Sequence, residues 1–526
     1  MYRVLITGAI HEKGIQLLEQ EPDLEVDFRP DLPLSEVIQI VEPYHCIISR
    51  SETPIQKELI EKAVNLKVIA RAAVGIGNID VDYATEKGVL VINTPGKNTN
   101  SAAELTMGLL LDVMRKVIPA HQNMQDGQWD RHQFTGFELM GKTIGIIGLG
   151  NVGHRMAQFC RGFDMNVVAY DPYITDEVFQ RHRTQKVSLD DLLTQSDIIS
   201  LHTPKNKETI GMIGAKEIAK MKPGSIILNA ARGEIVDESD LLEAIKSGHL
   251  AGAGIDTWSV EPLQQNIFQN FPQVAMTPHI GASTVEAQIR IAESIAEQVP
   301  RALRGEIVDF PINMPQIQML DDKQVSSYSV LAEKLGSFTA QYIDFNPTHL
   351  EIKFRGSLAK QDGSLLRLAF LKGFLKYSQD YVSYVNADQI AESVGLHVSA
   401  SEDPGFTDYE SAIKFIFTAQ GQEFEIGGVV FSGIHPRITL INNFVFEIAP
   451  EGIVLITKNT DYPGMIGVIG TILGKHRINI GQFELSRNVR GGEAMSLIRV
   501  DDDVPEKVIE ELFNHEGITQ VKKIVI

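Results

Sequence analysis

Three side chains of the types used in acid–base chemistry follow directly after three short apolar runs. Arg232 follows "SIILNAA", Glu261 follows "AGIDTWSV" and His279 follows "QVAMTP". An imidazole exchanges a proton near neutral pH, a carboxylate beside it orients the ring, and a guanidinium binds a carboxylate group. This set suits the oxidation of an alcohol, in which a base takes the hydroxyl proton while a hydride leaves for a nicotinamide.

A second histidine competes with His279 for the role of the base. His202, in "SLHTP", also stands at the end of an apolar run. Taken singly, Arg232 and Glu261 could be solvated loop charges, and His279 could cap a helix. The spacing of the residues alone leaves His202 and His279 as alternatives.

A glycine-rich turn lies upstream of these residues. "KTIGIIGLGNVG" places Gly148, Gly150 and Gly153 in a G-x-G-x-x-G pattern between an apolar strand and an amphipathic helix. The next predicted strand, "NVVAY", is followed by Asp171, eighteen residues after Gly153. Such glycines let the backbone approach a pyrophosphate at a helix N-terminus, and the acidic residue accepts hydrogen bonds from the ribose. Because a carboxylate repels a 2′-phosphate, the pattern favours NAD over NADP.

The elements that must position these residues alternate along the chain. In residues 1–95 and 142–283, short apolar runs alternate with amphipathic stretches, which predicts two parallel sheets with helices on both faces. Between them, a predicted helix opens with Ser101 and Glu104 at the spacing of a capping box. A second long helix over 284–306 leads back toward the first lobe. The second lobe is therefore predicted to be inserted in the first.

The last third of the chain has a different pattern. Residues 316–450 mix helix and strand patterns without a nucleotide fingerprint, and residues 452–526 read as β-α-β-β-α-β, the order of a ferredoxin-like module. The predicted fold class is α/β, with two doubly wound parallel-sheet lobes, the first flavodoxin-like and the second a Rossmann lobe. An α+β domain and a ferredoxin-like domain are predicted to follow.

The composition excludes several classes of partner. The net charge is −20, which argues against a nucleic-acid or anionic-membrane surface. The start of the chain reads as a strand and not as a signal peptide, and no apolar run reaches membrane-spanning length. With only Cys46 and Cys160, no disulfide framework is expected, so we expect a reducing, cytoplasmic compartment. No metal site is expected.

Two long motifs resemble the signatures of the NAD-dependent D-2-hydroxyacid dehydrogenases. They are "NAARGEIVDESDLLEAIKSGHLAGAGIDTWSVEP" and "TPHIGAST". The resemblance implies that Arg232, Glu261 and His279 are catalytic, that His202 lies beside the cofactor, and that Asp256 contacts the nicotinamide amide. Together with the glycine turn, it predicts NAD contacts at Val74, Gly148, Gly150, Asn151, Val152, Gly153, Asp171, His202, Thr203, Pro204, Ala230, Ala231, Arg232, Asp256, His279, Gly281 and Ala282.

The layout of the whole chain is similar to that of the long members of this family. The resemblance implies a substrate-binding domain (1–97 and 285–314), an NAD-binding Rossmann domain (98–284), an intervening allosteric domain (315–451) and an ACT regulatory domain (452–526). "YVNADQIAESVGL" and "HPRITLINNFVFEI" resemble the intervening domain, and "TDYPGMIGVIGTILGKHRINI" resembles the ligand-binding part of an ACT domain.

A substrate that carries a phosphate as well as a carboxylate needs a second cationic site. Arg50 in "IISRSET" and Arg71 in "VIARAAVG" both stand at predicted strand ends, and matching positions in the family bind a phosphate. Arg131 in "GQWDRHQF" is a third candidate that could act on a neighbouring subunit. Each of the three could instead be an ordinary surface cation. Arg232 and His279 complete the predicted substrate contacts.

The chain departs from the family pattern at two positions near this site. The family usually has glycine where Ala73 stands and aspartate where Gly77 stands. Ala73 can take the glycine's place only if its φ is negative. Both departures bear on substrate affinity and leave the catalytic groups unchanged.

The C-terminal resemblance also implies regulation. In ACT domains, the positions of Asn459, Asp461 and Asn479 bind an amino acid, often across a dimer interface, which implies L-serine as an inhibitor. The alternative is that this tail only assembles subunits. Arg437 is a candidate for an anion effector site of the intervening domain. The resemblance further implies a homo-oligomer, specifically a tetramer.

Two alternative functions stay open at this point. One is the oxidation or reduction of another D-2-hydroxy acid, such as glycerate or hydroxypyruvate. The other is an NAD-sensing corepressor-like role, since the same two-lobed fold serves proteins that act by binding other proteins. Formate dehydrogenase activity is disfavoured, because that relative has glutamine where Glu261 stands.

Overall fold

The computed structural model describes residues 1–314, 323–360, 363–379, 382–403, 409–419 and 421–526. The chain divides into two compact units. The first unit comprises Met1–Ala9, Leu18–Asn93 and Glu297–Ile526, and the second comprises Ile10–Leu17 and Thr94–Ala296. The predicted start of the intervening domain, residue 315, lies outside the described residues.

The first unit begins with a five-stranded parallel sheet. Its strands are β1 (Tyr2–Ile6), β2 (Leu24–Phe28), β3 (Cys46–Ser49), β4 (Val68–Arg71) and β5 (Leu90–Ile92). The helices that lie between these strands along the chain are α1 (Glu12–Glu19), most of which belongs to the second unit, α2 (Leu34–Ile40), α3 (Lys57–Lys62) and α4 (Val81–Glu86). The strand order is β2-β1-β3-β4-β5, the order of flavodoxin-like sheets. The parallel sheet predicted from the alternating pattern is confirmed.

The second unit contains a seven-stranded parallel sheet. Its strands are β6 (Thr143–Ile147), β7 (Asn166–Tyr170), β8 (Gln185–Lys186), β9 (Ile198–Leu201), β10 (Ser225–Asn229), β11 (Leu250–Ile255) and β12 (Val274–Met276). The helices are α5 (Thr99–Arg115), α6 (Val117–Gln125), α7 (Asn151–Gly162), α8 (Asp176–Arg181), α9 (Leu189–Gln195), α10 (Ala215–Lys220), α11 (Glu238–Lys246) and α12 (Val285–Leu303), of which the part from Glu297 belongs to the first unit. In the order β12-β11-β10-β9-β6-β7-β8, the chain runs outward from β6 to β7 and β8 and then returns to β9 on the other side of β6. This reversal of strand order between β6 and β9 creates the crevice where such sheets bind ligands.

The predicted capping box at the start of α5 is wrong. The helix begins at Thr99, so Ser101 lies inside it and is buried. The Ser101 hydroxyl is hydrogen-bonded to Thr284 Oγ1 at 2.7 Å. The N-cap residue is Asn98, which makes no side-chain capping bond. A tertiary partner for the hydroxyl therefore replaces the local bond that the sequence suggested.

The rest of the first unit contains two further sheets. The first has the strands β13 (His349–Gly356), β14 (His397–Asp403), β15 (Ser411–Ala419), β16 (Gln422–Phe431), β17 (His435–Ile441) and β18 (Phe444–Ile448), with helices α13 (Lys323–Tyr342), α14 (Ser364–Leu375) and α15 (Ala387–Ser393). The second has β19 (Ile453–Thr460), β20 (Ile480–Arg487), β21 (Glu493–Val500) and β22 (Ile518–Val525), with α16 (Met465–Lys475) and α17 (Glu506–Phe513). The second sheet is antiparallel in the order β20-β21-β19-β22.

A single apolar core joins these two sheets. Phe370 of α14 and Phe415 of β15 belong to the same buried cluster as Met495, Leu497 and Ile524 of the last sheet. Each large apolar side chain that is buried contributes about 1.5–3 kcal/mol, so this shared core holds the two sheets together.

Cys46 and Cys160 are both buried and unbridged. Among the helices described, none is long and apolar enough to span a bilayer.

Candidate active site

The glycine turn after β6 has the geometry of a dinucleotide site. Gly148 has a φ of +89°, and a Cβ there would lie 2.8 Å from the His202 carbonyl oxygen. A Cβ on Gly153 would lie 2.0 Å from the Gly148 carbonyl oxygen, so glycine is required for α7 to pack on the turn. A Cβ on Gly150, the N-cap of α7, would meet no atom within 4 Å. The turn therefore leaves open space at a positive helix N-terminus, which fits a pyrophosphate.

Asp171 lies beside this turn, as the motif predicts. Its Oδ2 accepts a hydrogen bond from the Leu149 amide at 2.9 Å, and its Oδ1 accepts one from the Tyr173 amide at 3.0 Å. A carboxylate fixed next to the glycine turn suits the hydroxyls of an adenosine ribose. The residues present therefore fit NAD.

His202 has the wrong electrostatics for a base at neutral pH. Its ring Nε2 is hydrogen-bonded to Ser200 Oγ at 2.8 Å. Desolvation lowers the pKa of His202 to about 4, so the ring stays neutral over the physiological range. The neighbouring Thr203 hydroxyl is buried and has no hydrogen-bond partner within the described part of the chain. This loop suits a cofactor contact better than proton transfer.

His279 and Glu261 form a hydrogen-bonded pair. His279 Nδ1 lies 2.7 Å from Glu261 Oε2, and Glu261 Oε1 accepts the Trp258 amide at 2.9 Å. The hydrogen bond that His279 donates to Glu261 raises the pKa of His279 above its ordinary value and outweighs the effect of burial. Burial raises the pKa of Glu261, but its bonds from His279 and the Trp258 amide outweigh burial, so the pKa is lowered overall. The carboxylate therefore stays ionised beside an imidazole that titrates above its usual range.

Arg232 belongs to the same cluster. Its Nη1 donates to the Ala231 carbonyl at 2.6 Å, and its own carbonyl accepts a bond from Asn229 Nδ2 at 2.8 Å. Burial lowers the pKa of Arg232, while the charge of Glu261 raises it. The three predicted residues therefore follow β10, β11 and β12 at the carboxyl edge of one parallel sheet, where they come together.

The Asp256 carboxylate already accepts hydrogen bonds within the second unit. Its side chain has 0% exposure, and it accepts hydrogen bonds from Thr277 Oγ1 at 2.6 Å, the Ile280 amide at 2.8 Å and the Gly281 amide at 2.9 Å. In this conformation the carboxylate holds the loop that carries His279. The predicted contact of Asp256 with a nicotinamide stays a prediction.

The other predicted cofactor residues divide between the units. In the second unit, Asn151 and Val152 are the first two residues of α7. The segments after β9, β10 and β12 contain Pro204, Ala230, Ala231, Gly281 and Ala282. Val74 lies in the first unit, where its carbonyl accepts Asn93 Nδ2 at 2.8 Å. Within the described ranges, no group of three or more His, Cys, Asp or Glu side chains could hold a metal ion.

Sequence reasoning missed the residues that support this cluster. Trp258 and Thr277 link the Glu261 and His279 segments, and Asn229 closes the turn that carries Arg232. Asn229 could have been found, because asparagine after a strand commonly hydrogen-bonds to the following backbone. The bond from the Trp258 indole to the Thr277 carbonyl could not have been found, since the two residues lie in separate loops.

Two arginines of the first unit follow β3 and β4. Arg71 is 5% exposed, its Nε donates to the Gly75 carbonyl at 2.9 Å, and its buried Nη1 has no partner among the residues described. Burial lowers the pKa of Arg71 to about 10, which still leaves it cationic at neutral pH. Arg50 Nη1 donates to the Ala9 carbonyl at 2.8 Å. Arg131 belongs to the second unit and lies in an exposed single helical turn, Arg131–Phe134.

The two departures from the family pattern fit the backbone without strain. Ala73 is absent from the non-glycine residues with positive φ, so it meets the condition that the sequence set. A Cβ on Gly77 would meet no atom within 4 Å, so no close approach requires glycine there.

Two of the predicted effector residues of the C-terminal domain, Asp461 and Asn479, already have side-chain partners on this chain. Asp461 Oδ2 accepts Arg487 Nη1 at 2.9 Å and the Gly491 amide at 3.0 Å. Asn479 Nδ2 donates to Asp501 Oδ2 at 2.5 Å. Asn459 is 1% exposed, and its Oδ1 is buried without a partner within the described residues.

Comparison with known proteins places the chain in a family. Residues 107–281 match the model of the D-isomer specific 2-hydroxyacid dehydrogenase NAD-binding domain, and residues 324–442 match that of the D-3-phosphoglycerate dehydrogenase intervening domain. A D-3-phosphoglycerate dehydrogenase from Methanocaldococcus jannaschii is 37% identical, with 100% of this chain and 99% of the relative covered. One from Bacillus subtilis is 35% identical, with 100% and 99% covered.

Solved structures resemble about three-fifths of the chain. The TT0316 protein from Thermus thermophilus is 34% identical with a TM-score of 0.55, covering 59% of this chain and 99% of its own. A D-lactate dehydrogenase from Aquifex aeolicus, complexed with NAD and lactic acid, is 29% identical with a TM-score of 0.52, covering 58% and 96%. The chain therefore belongs to the D-isomer specific 2-hydroxyacid dehydrogenase family, in its D-3-phosphoglycerate dehydrogenase group, and is an NAD-dependent oxidoreductase.

Proposed function

We propose that the protein oxidises D-3-phosphoglycerate to 3-phosphohydroxypyruvate with NAD, the first step of L-serine biosynthesis. The observation that carries the reaction type is the 2.7 Å hydrogen bond between His279 and Glu261, with Arg232 close enough to influence the pKa of Glu261. When bound, NAD supplies the hydride acceptor.

In this proposal the three side chains divide the work. His279 Nδ1 faces Glu261, so its Nε2 is the nitrogen that takes the proton of the substrate hydroxyl. The ionised Glu261 fixes the ring orientation and stabilises the imidazolium that forms. Arg232 binds the substrate carboxylate and polarises the C2 oxygen, for which a guanidinium has suitable geometry.

The proposed phosphate contacts are Arg71 and Arg50. A buried guanidinium with an unpartnered Nη1 is costly unless an anion completes it, and Arg71 is such a group within the described chain. Arg131 is proposed to reach the substrate of a neighbouring subunit, because it lies in an exposed turn. A phosphorylated 2-hydroxy acid carries the anion that Arg71 and Arg50 are proposed to bind, whereas glycerate lacks it.

A substrate panel tests the proposal. NADH formation is measured with D-3-phosphoglycerate, D-glycerate and D-lactate, each with and without L-serine, for the wild type and for Arg71→Gln. We expect turnover mainly of the phosphorylated acid, and we expect Arg71→Gln to lower its kcat/KM by about 100-fold, because losing one charged partner of a buried pair costs about 2–5 kcal/mol. Preference for an unphosphorylated acid would contradict the assignment of D-3-phosphoglycerate as the substrate. No turnover with NAD still bound would favour a corepressor-like sensor.

The cofactor preference can be tested at Asp171. Asp171→Ala is expected to weaken NAD binding about tenfold, because hydrogen bonds to charged groups contribute about 1.5–3 kcal/mol. NADP binding should improve relative to NAD, since the repulsion of the 2′-phosphate is removed. Titration of both cofactors by fluorescence measures this. Asp171→Asn is the matched variant, which keeps an acceptor for the Leu149 amide without the charge. If the ratio of the NAD and NADP dissociation constants were unchanged in both variants, the proposed contact of Asp171 with the ribose would be contradicted.

The domain ranges given above are part of the proposal. The ferredoxin-like element order of 452–526 supports an ACT domain, and the match over 324–442 supports an intervening domain. L-Serine is the proposed effector at Asn459, Asp461 and Asn479, with the unpartnered Oδ1 of Asn459 as support. Arg437, whose Nη1 donates to the Pro436 carbonyl, stays the candidate for an anion effector.

A homo-oligomer and a cytoplasmic location complete the proposal. Large apolar side chains are exposed on α6 and the segment after it, namely Val117, Ile118, Met124, Trp129, Phe137 and Met140. Surfaces of this kind favour a protein partner, and a second copy of the chain fits the predicted tetramer. Two buried free cysteines suit a reducing compartment.

A further inference from the structure

One residue outside the proposed catalytic set contacts the segments of all three catalytic side chains. The Trp258 amide donates to Glu261 Oε1 at 2.9 Å. Its indole Nε1 donates to the Thr277 carbonyl at 3.1 Å, two residues before His279. Its own carbonyl lies against Gly233, next to Arg232, because a Cβ built on Gly233 would be 1.9 Å from that oxygen.

The indole of Trp258 is held so that this bond is fixed. The residue is 7% exposed, and its ring lies 6.3 Å from the ring of Phe268. Thr277 is also held from its other side, since its hydroxyl donates to the buried Asp256 carboxylate at 2.6 Å. The Trp258 indole therefore holds Thr277 by its carbonyl, and the Asp256 carboxylate holds it by its hydroxyl.

The loop needs such an anchor because of the backbone at His279. His279 has a φ of +54°, in the left-handed region that residues with a side chain rarely adopt. A residue persists there only when its surroundings hold it. A small rotation of this loop would lengthen the 2.7 Å bond between His279 Nδ1 and Glu261 Oε2. The atoms that fix the loop therefore determine the geometry of the acid–base pair.

We propose that Trp258 is a positioning residue for the reaction, acting through Thr277 on His279 and through its amide on Glu261. This inference rests on the proposed acid–base role of His279. The indole N–H positions the His279 loop through its bond to Thr277, and the ring packs against Phe268. The alternative is that Trp258 is only a core residue, whose loss would affect folding and nothing else.

The variant that separates these two roles is Trp258→Phe in the full-length protein. Phenylalanine keeps an aromatic ring against Phe268 and removes the donor to Thr277. We expect kcat to fall about tenfold, because small displacements of catalytic groups are costly, while KM for NAD changes less than about twofold. The acidic limb of the pH profile should move to lower pH, because a weaker bond to Glu261 lets the raised pKa of His279 fall.

The control variant is Tyr328→Phe, which removes another buried aromatic donor to a backbone carbonyl, that of Ser411 in the first unit. We expect its kcat and pH profile to match the wild type. A core role for Trp258 alone would lower the melting temperature of Trp258→Phe but leave kcat per folded enzyme and the acidic limb unchanged. That result would overturn the positioning role while leaving the proposed function intact.

A second measurement does not require a change at Trp258. In Trp129→Phe, Trp258 is the sole tryptophan, so its fluorescence can be followed against pH. We expect an emission change whose midpoint coincides with the acidic limb of the rate, and we expect His279→Gln in the same background to abolish it. Constant emission across that pH range would contradict the coupling. If His279→Gln keeps full activity, the proposed function fails first, and the two failures are thereby distinguished.

Discussion

His279→Gln is expected to lower kcat by about 10³- to 10⁴-fold, because a positioned general base typically contributes about 10²–10⁴-fold and glutamine cannot take a proton. NADH binding, followed by fluorescence, should change little, since the glycine turn and Asp171 are unaffected. Wild-type oxidation should require neutral His279. Because Glu261 raises the pKa of His279, activity should fall as pH decreases through this raised pKa, above the ordinary range of histidine.

The matched variant for this experiment is His202→Gln, because His202 was the rival base in the sequence. Its low pKa of about 4 makes the His202 ring a weak proton acceptor near neutral pH. We expect His202→Gln to raise KM for NAD with at most a modest loss of kcat. A large loss of kcat in His202→Gln together with near-normal turnover in His279→Gln would reverse the assignment.

The main elements of the candidate site could be predicted from the sequence because they are set by local geometry. Gly148 is required by its positive φ and Gly153 by the close approach of the backbone. Because only glycine satisfies both requirements, they are visible in the sequence. Arg232 and His279 follow apolar strands of one parallel sheet, so the predicted strand ends bring them to the same edge.

The supporting contacts could not be predicted, because they join distant parts of the chain through specific atoms. The indole of Trp258 bonds to a carbonyl nineteen residues later, and Asp256 accepts two backbone amides of the His279 loop. Neither of these contacts produces a periodic pattern in the sequence. At Ser101 the sequence instead suggested a contact that does not form, because the hydroxyl matched a capping motif but is hydrogen-bonded to Thr284.

At the proposed effector site, the sequence did not reveal which partners the predicted residues have on the same chain. Asp461 was expected to meet an ammonium group, but its carboxylate bonds to Arg487 and the Gly491 amide. These bonds hold the pKa of Asp461 below its usual value. A serine ammonium must therefore compete with a guanidinium on the same chain, which predicts that serine binding depends on whether Arg487 moves.

Arg232→Lys is the second change for which we expect a large effect. It keeps the positive charge but loses the planar fork that binds a carboxylate through two parallel bonds. We expect kcat/KM for the hydroxy acid to fall about 10²- to 10³-fold, the range seen when one donor to a developing oxyanion is removed. The loss should appear in both kcat and KM, because Arg232 is proposed to act on both the carboxylate and the reacting oxygen. Initial rates at saturating NAD measure it.

The control for this change is Arg161→Lys, since Arg161 stands near the end of α7 and its Nη1 contacts the Arg183 carbonyl, away from the carboxyl edge of the sheet. We expect wild-type kinetics there. If Arg232→Lys raised KM alone and left kcat intact, Arg232 would bind the carboxylate without polarising the reacting oxygen. Catalysis would then rest on His279 and Glu261, and the pH profile of Arg232→Lys should retain the acidic limb of the wild type. If that limb moved to higher pH instead, Arg232 would also be setting the pKa of His279, whose imidazolium its charge disfavours.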